Sequence, residues 1–442
     1  MHIPRQFHTI SRFALVPLFI LMAGCGGGGP VVTGDRIPIV AEITPPTIDT
    51  QAAGEGVGIG VPFTNQRHDQ PGRTPGHRGG HLDFDWPPNF VWSTSIGVAA
   101  EFATQMGQAV ADSRRVYAIT PDAVVTAVSI DNGDILWSAV VEERFDDTQT
   151  SISGGLALDL GTLYVHANGR VLKAYDSASG TELWQQSFPI PLVGGPTAGG
   201  GRVLVTDIDG KLYVLAAADG RTLWTRVGNP DATSVIGSAS PAFAQGQVIY
   251  TGNDGEVAAL DADDGDFLWG DNLAALAPRT ALDGINSVIA HPVHDGGLVF
   301  ISTISGRFVT FNAATGRPIW EHPLATNQMP WLAGQTLFVI TSRGRAYALR
   351  RRDGALRWVR DLPGAIPFDE TMSEDPVHYL GPIVAGTRLV IASQNGEIRA
   401  LDTANGRVTG VWSVAGELST APIISNGRLI VFDDSGRLTA YQ

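Results

Sequence analysis

The chain has 442 residues, with 53 glycines, 10 tryptophans and 1 cysteine; 30 lysines and arginines against 44 aspartates and glutamates give a formal charge of −14. One cysteine excludes an intrachain disulfide framework and any cysteine-rich metal or iron–sulfur centre, and the acidic balance argues against a general nucleic-acid binder, which needs a positive footprint. Only 17% of residues are charged while 43% are hydrophobic, so the chain has the material for a core and is not a disordered polymer.

Arg5 and Arg12 precede and flank an apolar run from Phe13 to Met22. This pattern predicts a secretory signal over residues 1–24, too short for a mature membrane span. Leu21-Met22-Ala23-Gly24-Cys25 is similar to a bacterial lipobox, with the chain's one cysteine at the cleavage point. The resemblance implies lipid attachment at Cys25, where several acyl chains on one residue anchor firmly. In Gram-negative lipoproteins an aspartate after that cysteine commonly marks inner-membrane retention; Gly26 implies outer-membrane sorting. Maturation leaves residues 25–442, with a side-chain charge of 28 − 44 = −16.

Residues 25–88 read as a lipidated terminus and an extended arm. Gly26–Gly29 is a flexible spacer, and no G-x-x-x-x-G-K-[ST] follows it, so the glycines are not a phosphate loop. His68, His77 and His81 are expected to be solvated residues of this arm.

From residue 89 a repeat takes over. Trp92, Trp137, Trp184, Trp224, Trp269, Trp320, Trp358 and Trp412 are spaced by 45, 47, 40, 45, 51, 38 and 54 residues, most with a glycine four residues upstream. Trp86 and Trp331 lie outside the series. Each unit carries further turn signals, such as Asp209-Gly210, Asp254-Gly255 and Asn395-Gly396, between short apolar runs. Each unit has room for four strands, which describes a propeller blade. A blade buries its two faces only by stacking on neighbours, and a tryptophan packed between blades contributes several kcal/mol at roughly 25 cal/mol/Å². Leu418–Gln442 holds three strand-like stretches, and Asn89–Ser93 is an orphan fourth strand. Pairing them closes an all-β, eight-bladed propeller over residues 89–442; an open solenoid and a seven-bladed ring are the alternatives.

The unit ending Leu-Asp-x-x-x-Gly-x-x-x-Trp, as in Asp176–Trp184 and Asp261–Trp269, resembles the repeat of pyrroloquinoline-quinone-type propellers. One branch of that family is quinone-dependent dehydrogenases. The other is the BamB-like lipoproteins of the outer-membrane β-barrel assembly machinery, which the length, lipobox and blade count fit. Gly34–Ile39 is similar to that branch's arm motif. The resemblance implies a non-enzymatic scaffold on the periplasmic face of the outer membrane, without cofactor. It implies binding to the central barrel-insertion protein and other assembly lipoproteins through rim loops, and transient contact with unfolded outer-membrane proteins. Thr233–Gly237 resembles one contact loop: Val235 matches a leucine position and Ile236 replaces an arginine. Leu282–Asn286 resembles an acidic loop, with Asp283 and Asn286 as equivalents. Ordinary packing between blades is the other reading of Val235 and Ile236.

The dehydrogenase alternative needs a quinone above calcium in the funnel, with converging oxygen ligands. Asp207, Asp209, Asp254, Asp283 and Asp433 are candidates, but aspartate beside glycine in a repeat turn has a sufficient structural role. The cysteine pair common in those enzymes cannot form here. His166, His291, His294, His322 and His378 are scattered over several units and match no metal motif. Arg279, beside Pro278, and Arg343 are candidate polar rim contacts, and solvated turn residues are the preferred reading of each. An envelope adaptor for peptidoglycan, sugar or another lipoprotein is a third reading, because the fold alone does not select a partner.

Overall fold

The computed structural model describes residues 44–97, 107–142, 154–167, 169–228, 239–273, 288–367 and 377–442. Within them the Asp-x-x-x-Gly stretches close tight turns between strands. In one unit, β14 (Ala242–Ala244), β15 (Gln247–Thr251), β16 (Glu256–Asp261) and β17 (Phe267–Asn272) form an antiparallel meander. The Gly265 N–H donates to the Asp261 carbonyl at 3.0 Å, and Gly265 sits at φ +81°, which a residue without Cβ adopts readily. A register shift beside this turn sets Trp269 opposite the small Ala259. The same shift sets Trp137 opposite Ala127 and Trp184 opposite Ala174.

Eight such four-stranded sheets are present. Seven are consecutive meanders, numbered here as blades 1 to 7: β2–β5 (110–140), β6–β9 (155–187), β10–β13 (192–226), β14–β17, β18–β21 (293–322), β22–β25 (331–361) and β26–β29 (379–413). Blade 8 is composite: β30 (Ile423–Ser425), β31 (Arg428–Asp433) and β32 (Arg437–Tyr441) come from the C-terminus, and β1 (Phe90–Ser95) completes it. Trp92 pairs with Ala440, and Asn89 and Gln442 exchange backbone hydrogen bonds of 2.7 and 2.8 Å. The ring is closed with eight blades, as the orphan strand at residue 89 predicts.

First strands of neighbouring blades touch one another, as β2 does β6 and β10 does β14, so they line the axis. The fourth strands form the outer wall; β5 (Ile135–Val140) alternates between exposed and half-buried residues. Core clusters straddle the seams, for example Leu204 and Val214 of blade 3 with Val248 and Tyr250 of blade 4.

The tryptophans make those seams. Seven donate an indole N–H to a carbonyl of the following blade: Trp92 to Ile130, Trp137 to Ser177, Trp184 to Ala217, Trp224 to Ala262, Trp269 to Ala313, Trp320 to Arg351 and Trp358 to Thr403, at 2.6 to 3.1 Å. Each ring lies on the repeat glycine of that next blade, where a β-carbon would overlap it. Trp412 meets no such turn, because the third and fourth strands of blade 8, β32 and β1, are not consecutive in the chain. Trp86 of the arm packs against it instead, 5.1 Å between centroids with the rings tilted by 31°.

The arm corrects the sequence reading. His68 and His77 are fully buried and His81 nearly so; they are not solvated. The physical reason is the course of residues 48–86. Ile48 bridges in parallel to Leu356 on the outer strand β25 (Leu356–Asp361). The short helix α1 (Thr50–Gly54), capped by Asp49, follows, and the buried Arg357 donates to the carbonyls of Ala52 and Gly56, each at 3.0 Å. The chain then turns inward and circles the axis before leaving past Phe84 and Trp86 to β1.

Candidate partner-binding site

Two places can be asked for function: the axis and the rim. At the axis, Asn65–Leu82 follows the first strands of all eight blades in ring order. The Asn65 amide donates to Ile424 of blade 8 at 2.6 Å. His68 exchanges backbone hydrogen bonds with Ala111 of blade 1, and Asp69 accepts from Leu158 of blade 2. Gln70 pairs through its side chain with Ala198 of blade 3. Pro75 accepts from Phe243 of blade 4, and Gly76 from His294 of blade 5. Gly80 donates to Leu332 of blade 6 and accepts from the Trp331 indole at 2.7 Å, which accounts for the second tryptophan outside the repeat. Leu82 donates to Val384 of blade 7. The segment's backbone, with the Asn65 and Gln70 side chains, thus pairs with backbone groups that first strands would otherwise turn to the axis. Arg73 crosses it, donating to Gly79 at 3.0 Å and reaching Asn65 at 3.4 Å, with its guanidinium 4.8 Å from the Phe63 ring centroid.

Among the described residues, the carboxylates considered for a calcium-quinone site sit in separate turns of different blades; Asp283 lies outside the described residues. Asp207 Oδ1 accepts the Asp209 and Lys211 N–H groups in blade 3, and Oδ2 accepts from Tyr213. Asp254 accepts from Glu256 in blade 4, and Asp433 from Ser435 and Arg437 in blade 8. They are turn residues, as their sequence setting predicts. Among the described residues no three His, Cys, Asp or Glu side chains are placed to hold a metal ion. Burial holds His166 down to about 4. His322 lies against the Gly354 carbonyl at 2.7 Å, and His378 is exposed. Arg343 donates to the Pro367 carbonyl at 2.7 Å.

At the rim, an open cleft of about 540 Å³ lies on the seam of blades 3 and 4. Its apolar walls are Val227 and Phe267, 72% and 60% exposed. Asp254, Glu256, Asp271 and Asn272 supply its polar edge. Arg226, on β13 (Thr222–Arg226), pairs with Glu256 at 2.5 Å and reaches within 5.9 Å of the Phe267 centroid, tying the two blades beneath the cleft. Large apolar side chains left this open are candidates for partner contact. Val235, Ile236, Asp283, Asn286 and Arg279 lie outside the described residues, as do Cys25 and Gly34–Ile39. In sequence, two of the cleft's lining stretches adjoin the segments holding Val235 and Asp283: Val227-Gly228 precedes residue 229 and Asp271-Asn272 stands just before residue 274. The sequence reading missed Phe267, whose position two residues before the repeat tryptophan was the available signal.

With the propeller and its rim in view, comparison with known proteins becomes decisive. The family model described as outer membrane protein assembly factor BamB matches residues 121–360 and 370–442. The chain belongs to the BamB family. It is 24% identical to BamB of Yersinia pestis over 369 residues, covering 81% of this chain and 90% of that protein. Against BamB of Escherichia coli K12 it is 24% identical over 357 residues, covering 79% and 88%. The crystal structure of Moraxella catarrhalis BamB superposes with a TM-score of 0.67 at 19% identity, over 80% of this chain and all of that one. The quinohemoprotein alcohol dehydrogenase of Comamonas testosteroni gives 0.66 at 13% identity, over 88% and 82%. The propeller is therefore common to BamB and to an enzyme, and the fold alone does not separate them.

Proposed function

We propose that this protein is a non-enzymatic scaffold of outer-membrane protein assembly, held by lipid at Cys25 on the periplasmic face of the outer membrane. It binds the central barrel-insertion protein of the machinery through the rim of blades 3 and 4. Val235, Ile236, Asp283 and Asn286 act with Val227 and Phe267 in that contact. The observation that carries this reading is the open, partly apolar cleft on the seam of blades 3 and 4, whose lining adjoins the two family-like segments in sequence. A closed ring supports it, because rim loops vary without disturbing the strands that hold them. Membership of the BamB family supports the assembly role over the dehydrogenase role. The spent turn carboxylates and the polypeptide laid around the axis point the same way.

The test is a mild-detergent pull-down from envelopes. Wild-type chain is expected to recover a large outer-membrane β-barrel protein. The double variant Val235→Asp, Ile236→Asp is expected to lose at least about 90% of that recovery at unchanged thermal stability, a loss of roughly 1.4 kcal/mol or more in binding. Undiminished recovery by the folded variant rejects the loop assignment. Quinone absorbance with calcium-dependent dye reduction would reject the scaffold reading itself.

A further inference from the structure

We propose that Asn65–Gly80 is a plug over the axis of the propeller that acid releases while the blades stay folded. Its seat is made chiefly of backbone hydrogen bonds to first strands, which remain paired to second strands without it. The segment includes two non-glycine residues in the left-handed region, Arg73 at φ +78° and His77 at φ +57°, a conformation that the seat must enforce.

Four imidazoles are shut in by the plug or packed at its blade 4–5 contact. His68 is fully buried with neither ring nitrogen hydrogen-bonded. His77 donates from Nδ1 to the Pro292 carbonyl at 2.8 Å, and its Nε2 has no partner. Its ring lies 5.2 Å from that of His291, whose Nδ1 accepts the Ser240 N–H at 2.8 Å. His294, whose N–H bonds to Gly76, is buried with neither ring nitrogen partnered. These settings suit neutral rings. Burial pushes His68 and His291 down to about 3, and His77 and His294 down to about 4.

The charges facing them are few. Arg73 faces His68 and lowers it further, and His77 and His291 oppose each other's protonation. Asp295 faces His294 and favours its charged form, but that carboxylate is already held by Arg78 at 3.1 Å and Arg351 at 3.0 Å. Two carboxyls act in the opposite sense: burial raises Asp69 and Asp159 despite Arg67. His81 differs in kind. Its ring nitrogens lie against the Gly60 and Gly386 carbonyls at 2.8 and 2.7 Å. It keeps the C-terminal end of the plug seated.

The sign follows from linkage. A freed histidine titrates near 6.5, above its seated value, so the released state binds more protons. The contribution to seating is complete above pH 6.5 and is lost as pH falls toward the seated range near 3 to 4. The two carboxyls, raised from their ordinary value of 3.8, take up protons more readily when seated and so offset part of the histidines' effect. Each histidine freed with the plug weakens seating by about 25-fold between pH 7 and 5.

Hydrogen exchange of the full mature chain, read by mass spectrometry and corrected for the intrinsic pH dependence of exchange, tests this. Protection of residues 65–80 is expected to fall by at least about 100-fold between pH 7 and 5, while β16 changes by less than about 3-fold. His77→Asn is expected to reduce the fall. If that variant does not fold, His291→Gln is read against the same strand. Protection of 65–80 that stays constant, or that falls only together with β16, overturns the proposal.

Discussion

At the scale of single residues, the seams depend on a large ring meeting a position with no side chain. Gly265 combines a left-handed backbone with a surface already filled by Trp224. Gly246 has a similar φ of +75° but open space where a β-carbon would sit. Gly265→Ala is therefore expected to cost about 2–5 kcal/mol, conformational strain plus overpacking. Gly246→Ala should cost about 1–2 kcal/mol, the conformational part alone. Urea unfolding of the two variants measures the difference, and equal losses would show that the indole does not press on the turn. These seams were legible in the sequence, because tryptophan and glycine recur at fixed separation. Trp86 and Trp331 were not, since their partners Trp412 and Gly80 stand far from them in the chain and follow no period.

At the scale of elements, the arm departs most from its composition. A stretch rich in glycine, proline and polar groups lacks the periodicity by which a self-contained strand or helix is recognised. Here its partners are edges that other segments supply, so nothing local in Asn65–Leu82 announces burial. Leu82 is fully buried and hydrogen-bonded to blade 7, whereas Arg67 is 43% exposed and pairs with Asp69. Leu82→Ala is expected to lower stability by about 2–4 kcal/mol, and Arg67→Ala by no more than about 1 kcal/mol, both by chemical denaturation. A Leu82 variant as stable as wild type would mean the arm adds nothing to the fold. The rim cleft was not legible: it arises from Val227 of one blade and Phe267 of the next, which only the ring brings together, while the family-like segments adjoin its lining in sequence alone.

At the scale of the whole molecule, stability belongs to a closed circuit. Blade 8 exists only when β1 meets β32, and a chain ending at Val411 loses the three strands that make the meeting. Such a truncation is expected to show no cooperative transition in calorimetry, against a single sharp one for the full chain; a native-like melt would leave the ring intact without its clasp. The pairing of Asn89 with Gln442 also sets a timetable. Synthesis proceeds from the N-terminus, so β1, made before the other strands of the blades, waits for β32. Closing so long a loop is entropically costly before its contacts form, and the plug, made earlier still, has no complete ring to lie on until then. Blades 1 to 7 are each built from consecutive strands, but β1 and the plug, made before them, are seated after them. A chain still emerging from the ribosome or a translocation pore is thereby kept from closing its ring until β32 is free to meet β1.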